Sequence, residues 1–167
     1  ESGKLIKQLK EISKNNVEIK IAPSFTNLHS AISLLSNSEI EVIAQNVHAE
    51  NRGAYTGEIS PEMLTSIGIK TVIIGHSERR KYFNETDLVL SKKVKAAIEN
   101  SLNVIFCVGE ELSDRENGNQ FEIIKTQLNS TLMDLDIIEI KNIVIAYEPV
   151  WAIGTGITAN THQIQEM

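Results

Sequence analysis

Residues 142–156 read "NIVIAYEPVWAIGTG". Ile143, Val144, Ile145 and Ala146 form an unbroken apolar run, the pattern of a parallel strand covered on both faces; a strand with one face in water would alternate. The run stops at a carboxylate, Glu148, followed by a proline, a tryptophan and two glycines. Four more runs rich in β-branched residues precede it: "NVEIKIAPS" from Asn16, "EIEVIAQN" from Glu39, "KTVIIGHS" from Lys70 and "NVIFCVG" from Asn103. Between them the apolar residues change period. Phe121, Ile124, Leu128, Leu132 and Leu135 step by three and four, as do Leu90, Val94, Ala97 and Ile98, which places each set on one face of a helix. Alternating strands and helices make the class α/β, with about five parallel strands and intervening helices.

No linker or low-complexity tract divides the chain, so residues 1–167 are expected to form a single domain. Its first residues lie in an amphipathic helix (Leu5, Ile6, Leu9, Ile12) with no strand before it. Its last lie about one turn into another helix, with Thr161 as the expected N-cap. Five strands are about five-eighths of a closed (β/α)8 barrel, which takes roughly 250 residues. The expectation is an incomplete barrel running from its first helix to the start of its sixth. An open doubly wound sheet fits the length, but the glycine-rich dinucleotide fingerprint of that fold is missing.

The formal net charge of −6 and the pI near 5.3 leave no basic face for phosphates, which argues against nucleic-acid and membrane partners. No apolar run reaches the roughly 20 residues of a membrane span, and "ESGKLIKQLK" is too charged for a signal peptide; the expected setting is soluble and cytoplasmic. The single cysteine, Cys107, excludes an intrachain disulfide and a multi-cysteine metal site.

In parallel α/β folds the functional groups gather where strands end. There the five runs supply Pro23-Ser24, Gln45-Asn46, His76-Ser77-Glu78, Gly109-Glu110 and Glu148-Pro149. Ser77 is a good N-cap for a helix beginning at Glu78, which would place His76 near the positive end of a helix dipole and keep its ring neutral, able to donate a hydrogen bond to a carbonyl. The alternative for a lone histidine is a hydrogen-bonded structural residue. Glu148 leaves an apolar strand, where partial desolvation suits a base acting on a carbon acid, and Pro149 stiffens the turn that aims it. Ala152 to Gly156 is small and flexible. Val150-Trp151 and Ile157-Thr158-Ala159 are candidate hinges of a lid, and the backbone N–H groups near Gly154 can meet a phosphate. Taken singly, a glutamate at a strand end or a G-x-G loop has a structural explanation too. A base and a neutral electrophile on two strands of one sheet suit proton abstraction beside a carbonyl, and hence aldose–ketose isomerisation.

"AYEPVWAIGTG", "IIGHSERR", "AQNVHAENRGAYTGEIS" and "CVGEEL" resemble the triosephosphate isomerase family, in the same order and at comparable spacing over essentially the whole chain. That family is itself the known example of a glutamate base paired with a neutral histidine. The resemblance implies a partial (β/α)8 TIM barrel, with Glu148 as the proton-shuttling base and His76 as the electrophile. Ser77 and Glu78 match supporting positions beside them. Pro149, Val150, Trp151, Ala152, Ile153, Gly154, Thr155, Gly156, Ile157, Thr158 and Ala159 match the closing lid, with the Gly154 N–H on the substrate phosphate. Trp151 matches a hinge residue that exchanges hydrogen-bond partners, here Tyr147 and Glu110. Cys107 matches a packing residue near the base. "NRGAYTGEIS" matches a loop that enters a second subunit, with Tyr55, Thr56, Gln45 and Asn46 as homodimer contacts, although its glycines alone mark only a surface turn.

The resemblance further implies interconversion of dihydroxyacetone phosphate and D-glyceraldehyde 3-phosphate in glycolysis and gluconeogenesis, without cofactor or metal. An Asn-x-Lys pair on the family's first strand has no match here, because Lys4 lies in a helical context. Ile157 stands where a lysine is frequent. The 167-residue chain alone is therefore expected to be inactive. The alternative from another class is a non-catalytic phosphometabolite-binding module on the same barrel.

Overall fold

The computed structural model describes residues 2–12 and 17–167; Asn16 and the side chain of Ile12 lie outside the described residues. In chain order the elements are α1 (Ser2–Ile12), β1 (Lys20–Ile21), α2 (Leu28–Leu35), β2 (Glu41–Val42), α3 (Pro61–Ser66), β3 (Thr71–Ile74), α4 (Ser77–Phe83), α5 (Asp87–Glu99), β4 (Asn103–Val108), α6 (Leu112–Glu116), α7 (Gln120–Leu132), α8 (Ile137–Ile140), β5 (Ile143–Tyr147) and α9 (Thr161–Gln165). All five expected strands are present. Each is parallel to the next: Lys20 faces Glu41, Thr71 faces Asn103 and Val104 faces Ile143. A bridge between Ala44 and Val72 joins the first pair to the other three, with Ala44 N–H on the Thr71 carbonyl at 3.0 Å and Ile73 N–H on the Ala44 carbonyl at 2.9 Å.

Spatial order thus equals sequence order, 1-2-3-4-5. A doubly wound sheet reverses direction at a switch point, so this order selects the barrel over the open-sheet alternative. The shape follows from residue choice. Val104, Phe106 and Val108 of β4 are buried, and Leu90, Val94 and Ala97 of α5 lie in the same core. Thr86 caps α5 by accepting the Val89 N–H. Ser60 does the same for α3, where Pro61 at the first turn has no N–H to lose.

Three expectations change. The N-cap of α9 is Asn160, whose side chain accepts the Gln163 N–H while Gln163 returns a bond to the Asn160 N–H; Thr161 is already helical. The stripe from Phe121 to Leu135 outlasts its helix. α7 stops at Leu132, Phe121 is 51% exposed, and Leu135 packs from the turn leading to Asp136, which caps α8. Finally, β5 is not covered on both faces. Val144 and Ile145 are 63% and 45% exposed, and among the described residues β5 pairs only with β4 and forms the sheet edge.

Candidate active site

The carboxyl ends of β3, β4 and β5 converge on one place. Beyond β3, Gly75 adopts φ +83°, and an added Cβ would press on the Cys107 carbonyl at 3.0 Å and the Phe106 ring at 3.2 Å, so glycine serves both conformation and space. His76 follows with φ −50° and ψ 138° and is itself the N-cap of α4: its Nδ1 accepts the Glu78 N–H at 3.3 Å. The expected cap, Ser77, is instead the first helical residue, since its neighbour's imidazole already holds the orphan donor. A ring nitrogen that accepts a backbone N–H carries no hydrogen, so this contact suits the tautomer with its hydrogen on Nε2.

That Nε2 lies 3.6 Å from Glu148 Oε1. Glu148 is placed by the last rung of the sheet, its N–H donating to the Val108 carbonyl at 2.8 Å. Its second oxygen, Oε2, accepts the Ser77 N–H at 3.3 Å, so Ser77 contributes through its backbone. Cys107 is buried near the Glu148 carboxylate. Burial first, and then that carboxylate, push the thiol well above its ordinary range, so it is a packing group and not a thiolate. Glu78 sends its own side chain outward, with Oε2 3.7 Å from His76 Nδ1, and takes part through its N–H.

The segment expected to form a lid begins with a short 3-10 turn, Val150–Ala152, behind Pro149. Trp151 is 6% exposed and donates Nε1–H to Glu110 at 2.8 Å. The same Glu110 oxygen accepts from Tyr147 at 3.0 Å and from Arg115 at 3.3 Å, and Arg115 lies over the indole ring at 5.5 Å. Of the two expected partners of Trp151, Glu110 accepts its indole N–H, and Tyr147 bonds that same carboxylate rather than the indole. Thr155 ties the turn together, its hydroxyl donating to the Trp151 carbonyl at 2.9 Å and accepting the Ile157 N–H at 3.2 Å. Ile153, Gly154, Gly156, Ile157 and Thr158 stand in solvent, with Gly154 at φ +69° and Gly156 at φ +79°; Ala152 and Ala159 are half-buried. A cleft of about 490 Å³ lies between this segment and Ser77, Lys81 and Tyr82 of α4.

Neither Tyr55 nor Thr56 lines this cleft. Tyr55 packs on His48, ring centroids 4.5 Å apart, and Thr56 is exposed. Gln45 donates to the Ala22 carbonyl at 2.9 Å, whereas Asn46 is 6% exposed and accepts from Lys93 at 2.9 Å. Lys93 belongs to a buried ion cluster that sequence reasoning missed. Lys93 and Arg79 each reach Glu85 Oε1 at 2.6 Å, and burial lowers the Lys93 pKa despite the pairing. Arg80 was missed too: it ties the Gly75 and Cys107 carbonyls, at 2.9 and 3.3 Å, to Asp87 at 2.6 Å. These contacts join different elements, so no fixed spacing announces them.

A protein-family model described as triosephosphate isomerase matches residues 1–167. Among relatives carrying that name, the protein of Flavobacterium johnsoniae is 52% identical over 155 residues, covering 93% of this chain and 62% of its own length. That of Thermodesulfovibrio yellowstonii is 51% identical over 152 residues, 91% of this chain and 61% of its own. That of Clostridium perfringens strain 13 is 47% identical over 167 residues, 99% and 67% respectively. The chain thus spans about three-fifths to two-thirds of the relatives it matches.

Proposed function

Because this chain belongs to the triosephosphate isomerase family, we propose that the complete protein interconverts dihydroxyacetone phosphate and D-glyceraldehyde 3-phosphate through an enediolate. Glu148 moves the proton between the two carbons, and neutral His76 donates from Nε2 to the substrate oxygens. The observation that carries this reading is the approach of His76 Nε2 to Glu148 Oε1 at 3.6 Å, with Nδ1 committed to the Glu78 N–H. A separation of 3.6 Å leaves no room for a substrate carbon skeleton, so Glu148 must leave the Ser77 N–H when substrate enters. The lid from Pro149 to Ala159 then closes, with the Gly154 N–H on the phosphate. Water is thereby kept from the intermediate.

The same reading makes the complete protein a cytoplasmic homodimer, with Gln45, Asn46, Tyr55 and Thr56 at the contact, acting in glycolysis and gluconeogenesis without cofactor or metal. Among the described residues no helix is long and apolar enough to cross a membrane. The 167-residue chain by itself is proposed to be inactive; the exposure of Val144 and Ile145 on β5 supports this, since those side chains need cover.

The test is turnover of triose phosphates by the complete protein with Glu148→Gln and with His76→Ala. Each change is expected to lower kcat by about 100- to 10,000-fold, the range of positioned acid–base catalysis. Unchanged turnover in either would refute the assigned role, and tight phosphate-ester binding without turnover in the parent would favour a binding module.

A further inference from the structure

Gln127 on α7 meets the backbone of Gly109 edge to edge. Its Oε1 accepts the Gly109 N–H at 3.0 Å and its Nε2 donates to the Gly109 carbonyl at 2.9 Å. The pairing fixes the orientation of the amide, because the reverse would set donor against donor. Gly109 lies one residue past the end of β4, where the last sheet rung has already been made by the Glu148 N–H on Val108. A side chain from the helix layer thus takes over both hydrogen bonds of Gly109 where the ladder stops.

Gly109 is the contact point between two working parts. On one side an added Cβ would fall 2.0 Å from the Glu148 carbonyl oxygen and 3.0 Å from Val150, so its backbone lies directly against the turn that aims the base. On the other side the next residue is Glu110, fully buried, which receives Trp151, Tyr147 and Arg115. A shift at Gly109 moves both.

We propose that Gln127 is a positioning residue: by clamping both polar groups of Gly109 it fixes the turn carrying Glu148 and the carboxylate that anchors the lid hinge. It touches no substrate and acts through Gly109. Its catalytic consequence rests on the isomerase reading above, whereas its effect on the hinge does not.

The experiment uses the complete protein with Trp151 as sole tryptophan, as it is in this chain, and compares Q127M and Q127E with the parent. Q127M keeps the side-chain length and removes both bonds. It is expected to lower kcat about ten- to a hundredfold, the scale of a small misplacement of catalytic groups, with KM within threefold and Trp151 emission shifted to the red. In Q127E the carboxylate accepts the N–H but opposes the carbonyl, while its protonated form can do both. Its kcat relative to the parent should therefore recover as pH falls, while the Q127M ratio stays flat.

Ser130→Ala, an exposed change on the same helix, should match the parent. The proposal is overturned if Q127M keeps kcat within twofold, if its loss equals its loss of folded protein by circular dichroism, or if Ser130→Ala loses as much. If the unmodified protein does not isomerise triose phosphates, the isomerase reading fails and Trp151 emission decides the clamp alone: a red shift in Q127M sustains it and an unmoved spectrum ends it.

Discussion

Tyr147 shows what a single buried contact does to a titrating group. Burial, and then its hydrogen bond to the Glu110 carboxylate, raise the phenol from an ordinary value of 10 to about 12. The fold therefore favours the neutral phenol. Its stabilising effect is complete below pH 10 and disappears as pH rises from 10 to 12, where the unfolded chain has already lost the proton. Tyr147→Phe should remove that part of the alkaline fall in stability, measured by urea midpoints between pH 9 and 12, and should remove one late step from the phenolate absorbance titration. A fall of the same depth in the variant would show that Tyr147 is not its source. His76 teaches the converse. A histidine beside a helix start was legible in the sequence, but not that it would be the cap itself, since that depends on a ring nitrogen reaching the second N–H of the helix.

At the scale of elements, the segment proposed as the lid is tethered through one indole hydrogen bond and a hydroxyl–carbonyl bond from Thr155 to Trp151. Trp151→Phe keeps an aromatic ring, smaller than the indole, and deletes the bond to Glu110. A loss of about 1 kcal/mol is expected, equivalent to a roughly fivefold rise in the opened form. Limited proteolysis across residues 153–158 should accelerate by about that factor, and an unchanged rate would mean that the indole N–H does not hold the hinge. Apolar patterning revealed all five strands and the α5 stripe because it is a local property of each segment, legible even on β5, where Val144 and Ile145 are exposed. It failed at Leu135, beyond α7, and at Thr161, because helix ends are decided by a few polar contacts, such as the Asp136 and Asn160 capping boxes. The site was legible where residues follow strand ends directly, as His76 and Glu148 do. Gln127, Lys93 and Arg80 were not, because their partners lie 18, 8 and 47, and 5, 7 and 27 residues away.

For the molecule as a whole, β5 is the exposed feature of greatest consequence. Val144 and Ile145 face solvent from opposite sides of an edge strand, a template for pairing with another chain. The isolated 167-residue chain should self-associate, and Val144→Lys should reduce this at equal concentration in sedimentation velocity. An equally monomeric parent would show that this edge does not associate.

The strand order holds a different lesson. Since among the described residues each strand pairs with the one made just before it, a chain leaving the ribosome can add β2 to β1, β3 to β2 and so on. Loop closure at every step spans only one strand–helix unit. The barrel wall can grow in the direction of synthesis, and His76 can take its place on it before Glu148 has been translated.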